Sequence, residues 1–141
     1  MKYLLDTCVV SEFTKKEPDK RVITFLDTIN PEIVYMSVIT IGEIQRGIAS
    51  LADPDKQAHL RTWLHSDLIE TFGQNILPVD METMFAWGDM TARVRKQGAP
   101  LPVIDSLLAA VCLSKRLALV TRNVKDFDAA GCACINPWED T

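Results

Sequence analysis

The chain has 141 residues, 48% apolar and 24% charged, with 15 Lys plus Arg against 19 Asp plus Glu and a formal charge of −4. That balance fits one packed domain over residues 1–141 and excludes a disordered chain, and no apolar run approaches the roughly 20 residues of a membrane span. The acidic total argues against a bulk electrostatic coat for nucleic acid and leaves room for local basic patches.

Short branched apolar runs alternate with helical patterns. In chain order the pattern predicts a strand at 3–6, helices at 8–15 and 20–28, a strand at 33–37 and helices at 41–51 and 54–72. A strand at 76–80, helices at 81–97 and 103–115 and strands at 117–121 and 133–136 follow. The opening Met1-Lys2-Tyr3-Leu4-Leu5-Asp6 reaches an acid too soon for a signal-peptide core, so a cytoplasmic protein is expected. Asp53 before Pro54 reads as an N-cap followed by a first-turn proline. Trp63, Leu64, Leu68 and Phe72, like Met84, Phe85 and Trp87, read as core, or else as a partner groove or dimer face. Residues 98–102 form a loop and 137–141 a polar tail. Strands alternating with helices predict an α/β fold with a parallel sheet covered on both faces.

Cys8, Cys112, Cys132 and Cys134 include no C-x-x-C pair and read as reduced thiols. Cys132 and Cys134 point to one side of a strand, but His59 and His65 lie about 240° apart around a helix and do not converge on zinc.

The acids carry more information, because ligands of open α/β sheets bind beyond the carboxyl ends of the strands. Asp6 closes the first strand, and Glu43 sits in the first turn of the helix after the second. Asp105 opens the helix at 103–115, and Asn123 and Asp126 follow the strand at 117–121. Each has a structural reading. Thr40 to Glu43 matches a capping box, Asp105 suits a helix dipole, and Asp126 suits a cap; Asp6 is followed by no clean cap pattern. Together they are harder to dismiss: two carboxylates about 4 Å apart repel by roughly 4 kcal/mol at an effective dielectric of 20. An all-oxygen donor set suits Mg²⁺ or Mn²⁺, whose chemistry beside a phosphodiester is hydrolysis.

Leu4-Leu5-Asp6-Thr7-Cys8-Val9-Val10-Ser11-Glu12 resembles the opening strand and turn of PIN-domain nucleases. Ser37 to Ile48, Pro102 to Ala110 and Val120 to Phe127 resemble their three later acidic motifs, in family order along the whole chain. More narrowly, the motifs resemble VapC-like and FitB-like toxins of bacterial toxin–antitoxin pairs. The resemblance implies a PIN-like three-layer α/β/α sandwich with a five-stranded parallel sheet, a divalent-metal site, a homodimer, and endoribonuclease activity neutralised by a cognate antitoxin. On the motif positions Asp6, Glu43 and Asp105 match three acids and Asp126 the fourth, with Thr121 and Asn123 as neutral oxygen donors or water positioners. Cys8 stands where Asn or Ser is common. On this reading Asp6 and Asp105 bind Mg²⁺ (or Mn²⁺) directly, Glu43 binds it through water or polarises the attacking water, and Asp126 completes the site.

RNA, a tRNA or another structured RNA, needs cations as well. The candidates are Arg46, Arg93 with Arg95 and Lys96, and Arg122 with Lys125, the last two flanking the fourth motif. A competing reading is a non-catalytic PIN-like partner-binding module, or a nucleic-acid-binding regulatory subunit, with its acids serving as caps. An aspartyl-phosphate phosphatase needs D-x-D at the first strand, where Cys8 breaks the pattern.

Overall fold

Leu4 and Leu5 are adjacent in the first strand, so their side chains leave opposite faces, and both are buried. That requires a sheet covered on both sides. The computed structural model, which describes residues 1–139, provides the cover. β1 (Lys2–Leu5), β2 (Val34–Ser37), β3 (Ile76–Leu77), β4 (Leu117–Val120) and β5 (Cys134–Ile135) form one sheet in the order β3-β2-β1-β4-β5. Every pairing is parallel, and Tyr3 of β1 lies opposite Val34 on one side and Ala118 on the other. β3 and β5, at the two edges, are two residues long.

One face is covered by α1 (Thr7–Ser11), α2 (Lys20–Thr28) and α3 (Val38–Ala49), which bring Val9, Val10, Val22, Ile44 and Ile48 onto Leu5, Met36 and Val120. On the same side, α4 (Pro54–Thr62) runs through a π-helical turn at Trp63–Leu68 into α5 (Ile69–Phe72). The other face is covered by α6 (Met81–Lys96), α7 (Val103–Lys115) and α8 (Val124–Phe127), which set Met90, Val94, Leu108, Val111 and Phe127 against Leu4 and Leu119. The result is the expected α/β/α sandwich.

Several boundaries differ from the sequence expectation. The strand at 76–80 stops at Leu77, because Pro78 has no N–H to continue a ladder. The helix at 54–72 is not uniform. Leu60, Leu64, Leu68 and Phe72 recur every four residues, a spacing that drifts by roughly 40° per step around an α-helix, and the wider π turn takes up the drift. α3 begins at Val38 rather than Ile41, since Ser37 is its N-cap and accepts from the Ile39 amide at 3.1 Å. In the predicted polar tail, Pro137 and Trp138 are buried and Trp138 joins the α1–α3 core; residues 140 and 141 lie outside the described part. Met84 and Phe85, read as core or else as a partner or dimer face, are 40% and 69% exposed, because α6 turns that face away from the sheet.

The order of strands positions the site. From β1 the chain moves to β2 on one side and later returns to β4 on the other, leaving a crevice at the carboxyl ends of β1 and β4. Asp6 sits in it, its amide donating to the Val120 carbonyl at 3.0 Å.

Candidate active site at the carboxyl ends of the strands

Asp6 continues the β1 ladder with its backbone and caps α1 with its side chain, a role its context did not announce. Its Oδ1 accepts from the Thr7 amide at 2.7 Å and its Oδ2 from the Thr121 hydroxyl at 2.8 Å. Thr121 is itself buried, and its Oγ1 accepts from the Asn123 amide at 3.1 Å. The carboxylate is therefore held by the first residue of α1 and by the residue that follows β4, and Asp6 is 7% exposed.

Glu43 falls in the second turn of α3, so the expected capping box with Thr40 does not form. Thr40 is buried and its hydroxyl has no hydrogen-bond partner among the described residues, and Glu43 faces Thr7 instead, whose Oγ1 donates to its Oε1 at 2.6 Å. Thr7 thus ties two acids together, by its amide to Asp6 and by its hydroxyl to Glu43. Its signal in the sequence is no more than a hydroxyl residue directly after the first acid.

Asp105 lies in the first turn of α7. Burial pushes its carboxyl above the usual range, and the charges of Asp6, Asp126 and Glu43, in that order, push it the same way. The carboxylates at the end of β1, on α3 and on α8 thus face Asp105 on α7 closely enough for their charges to be felt there. Among the described residues none of the four has a Lys or Arg partner within ion-pair distance. Among the described residues, no three or more His, Cys, Asp and Glu side chains stand close enough together to hold a metal ion as placed. The donor set nevertheless fits Mg²⁺, which takes one or two carboxylates and completes its shell with waters and phosphate oxygens.

At the fourth motif, Asp126 is the residue whose charge reaches Asp105. Asn123 is exposed and contributes its backbone, the amide to Thr121 and the carbonyl to the Asp126 amide at 3.0 Å. The Cys8 thiol lies 3.8 Å from Asp6 Oδ2 and 3.9 Å from Thr121 Oγ1, and burial raises its pKa, so it stands there neutral. Cys132 and Cys134 bring their sulfurs to 4.0 Å.

The basic candidates divide. The Arg122 guanidinium stacks 5.3 Å from the centre of the Trp138 ring, Lys125 is exposed on α8, and Arg46 is exposed one turn beyond Glu43. Arg93 is not brought to the site. Its Nη2 donates to the Ala130 carbonyl at 2.5 Å, tying α6 to the turn that precedes β5.

The PIN-domain family profile matches residues 3–131. The chain belongs to the PIN-domain family. It is 33% identical over 137 residues to toxin FitB of Neisseria gonorrhoeae, covering 97% of this chain and 99% of that one. It is 30% identical over 136 residues to VapC ribonuclease Y4jK of Sinorhizobium fredii, covering 96% and 97%. The crystal structure of FitAcB from Neisseria gonorrhoeae superimposes with a TM-score of 0.92 at 32% identity, over 96% of this chain and 98% of that one. The expected family and fold are thereby met. In this PIN domain the first motif carries one further buried acid, Glu12. It pairs with Lys15 and accepts from the Asp19 amide at 2.9 Å, which fixes the loop after α1. Burial works against its charge, but Lys15 and that amide outweigh it and lower the carboxyl.

Proposed function

We propose that this PIN domain, as a single unit over 1–141, is a divalent-metal-dependent endoribonuclease, the toxin of a type II toxin–antitoxin pair working in the cytoplasm. The observation that carries the reading is that Asp6, Glu43 and Asp126 all bear on Asp105 while, among the described residues, none of the four has a Lys or Arg within ion-pair distance. Its FitB and VapC relatives support the choice of a toxin and of RNA. Asp6 and Asp105 would hold Mg²⁺ or Mn²⁺, with Glu43 and Asp126 beside them. When bound, such a cation supplies Lewis-acid charge to the phosphate oxygens. Thr7 occupies Glu43 Oε1, which leaves Oε2 as the acceptor for the proton of an attacking water. Thr121 and the Thr7 amide orient the Asp6 carboxylate.

Purified chain incubated with total RNA is expected to cleave it with Mn²⁺ or Mg²⁺ and to stop with chelator. No cleavage under either condition favours the non-catalytic module. Thr7→Val removes the hydroxyl from Glu43 and is expected to lower cleavage about 10- to 100-fold, while a melting curve moves by about 1 kcal/mol or less.

Charge crowding gives a stability test. The folded pKa of Asp105 is raised, so its contribution to stability is present below its unfolded pKa and lost as pH rises through the folded value. Metal-free Asp105→Asn is therefore expected to melt higher than the parent at pH 7, with the difference closing as pH falls through the carboxylate range. Divalent cation at 100 times its Kd is expected to stabilise the parent by about 2.7 kcal/mol and the variant by less. Equal stabilisation of both removes Asp105 from the metal site.

Two surfaces suit the partners. Phe13, Leu26, Trp63, Leu68 and Phe72 line an apolar groove of about 260 Å³, suited to an antitoxin helix. Met81, Met84 and Phe85 form an exposed stripe on α6, suited to a homodimer contact.

A further inference from the structure

A second groove, of about 660 Å³, starts at Thr7 and Glu43 and runs between the loop after α1 and the start of α4. Lys15 and Lys16 line it from the first of these elements and Lys56 from the second, with Trp63 along its length. These cations are distant in sequence and meet here in a chain of net charge −4. Lys15 is paired with Glu12, whereas among the described residues Lys16 and Lys56 have no acidic partner within 4.0 Å. Asp53, near Lys56, turns its carboxylate to the amides of Asp55 and Lys56 and does not line the groove.

We propose that this groove is the subsite for the RNA strand adjoining the scissile phosphodiester, with Lys16 and Lys56 on its phosphates and Trp63 beneath a base. The inference rests on the ribonuclease reading and adds to it the path the strand takes. An RNA approaching four carboxylates meets repulsion until cations offset it, and the groove that Glu43 also lines supplies them. Cationic walls around an aromatic side chain are also what single-stranded nucleic acid selects, the walls tracking the backbone and the ring stacking a base.

The test is steady-state cleavage of a fluorescent single-stranded RNA by the full chain, the Lys16→Ala/Lys56→Ala double variant and Lys2→Ala. Lys2 lies at the opposite end of β1, 5.8 Å from the Tyr35 ring centre, and serves as the remote-lysine control. Affinity of the same RNA is measured by anisotropy over a salt series, with each substitution also placed on an Asp6→Asn background. The double variant is expected to bind about 10- to 30-fold more weakly at 0.1 M salt, with the loss appearing in KM. Its log K against log salt slope is expected to be shallower by about 1.4. A double variant that matches Lys2→Ala, in a parent that cleaves RNA, overturns the subsite and leaves the ribonuclease reading intact. Unchanged RNA affinity with a weakened antitoxin complex gives the groove to the protein partner and also overturns it. A parent chain that neither binds nor cleaves RNA removes both readings.

Discussion

Asp6→Asn is expected to lower RNA cleavage by about 10³-fold or more, a loss of about 4 kcal/mol in transition-state stabilisation, without unfolding the protein. The amide keeps the shape of the carboxylate. Its oxygen still accepts from the Thr7 amide, the 2.7 Å contact that caps α1. Its nitrogen faces Thr121 Oγ1, which reverses from donor to acceptor beside the bond it already receives from Asn123. The Thr121 hydroxyl proton then loses its carboxylate, a cost of about 1 kcal/mol. Against that, one charge leaves the group that pushes Asp105 upward. The two effects oppose each other, so the metal-free melting temperature is expected to stay within a few degrees while activity disappears. Single-turnover cleavage beside a melting curve reads both. Full activity in a normally folded variant removes Asp6 from the proposed role.

Phe127→Ala is expected to cost about 3–5 kcal/mol, a large share of the roughly 5–15 kcal/mol that holds a domain folded. Phe127 is 1% exposed and packs into the cluster with Leu4, Met90 and Leu108. It is also the anchor of α8, a four-residue helix too short to persist alone. Losing the ring therefore frees Asp126 along with the helix. Urea unfolding is expected to show a lower midpoint at unchanged slope, and cleavage is expected to fall at temperatures where the variant is still folded. A loss under about 1 kcal/mol would show that α8 is not held by this contact.

The strands were legible because branched apolar runs in a two-sided parallel sheet leave little else for the chain to do, as Leu117–Val120, buried at every position, illustrates. The acids were legible for a related reason: the fold returns each strand's carboxyl end to one side, so acids just beyond those ends are gathered there. What escaped the sequence depended on partners far along the chain. Residues 38–40 fall between the strand at 33–37 and the helix at 41–51 until Ser37 is seen to cap them into the helix, and that three-residue shift moved Glu43 from Thr40 to Thr7, 36 positions away. Arg93 looked like a phosphate contact because the Ala130 carbonyl, 37 positions away, does not announce itself. Apolarity alone left Met84 and Phe85 between core and partner face; it does not say whether a residue is covered by its own chain or by another.

The shortness of β3 and β5 bears on what happens when this chain is made without a companion. Unpaired backbone at the border of a flat array is a template onto which further copies add rung by rung. Here each border offers two residues, Ile76–Leu77 and Cys134–Ile135, and Pro78 ends the first of them. So small a foothold disfavours fibril growth, and surplus chains are expected to stay dispersed and enzymatically competent.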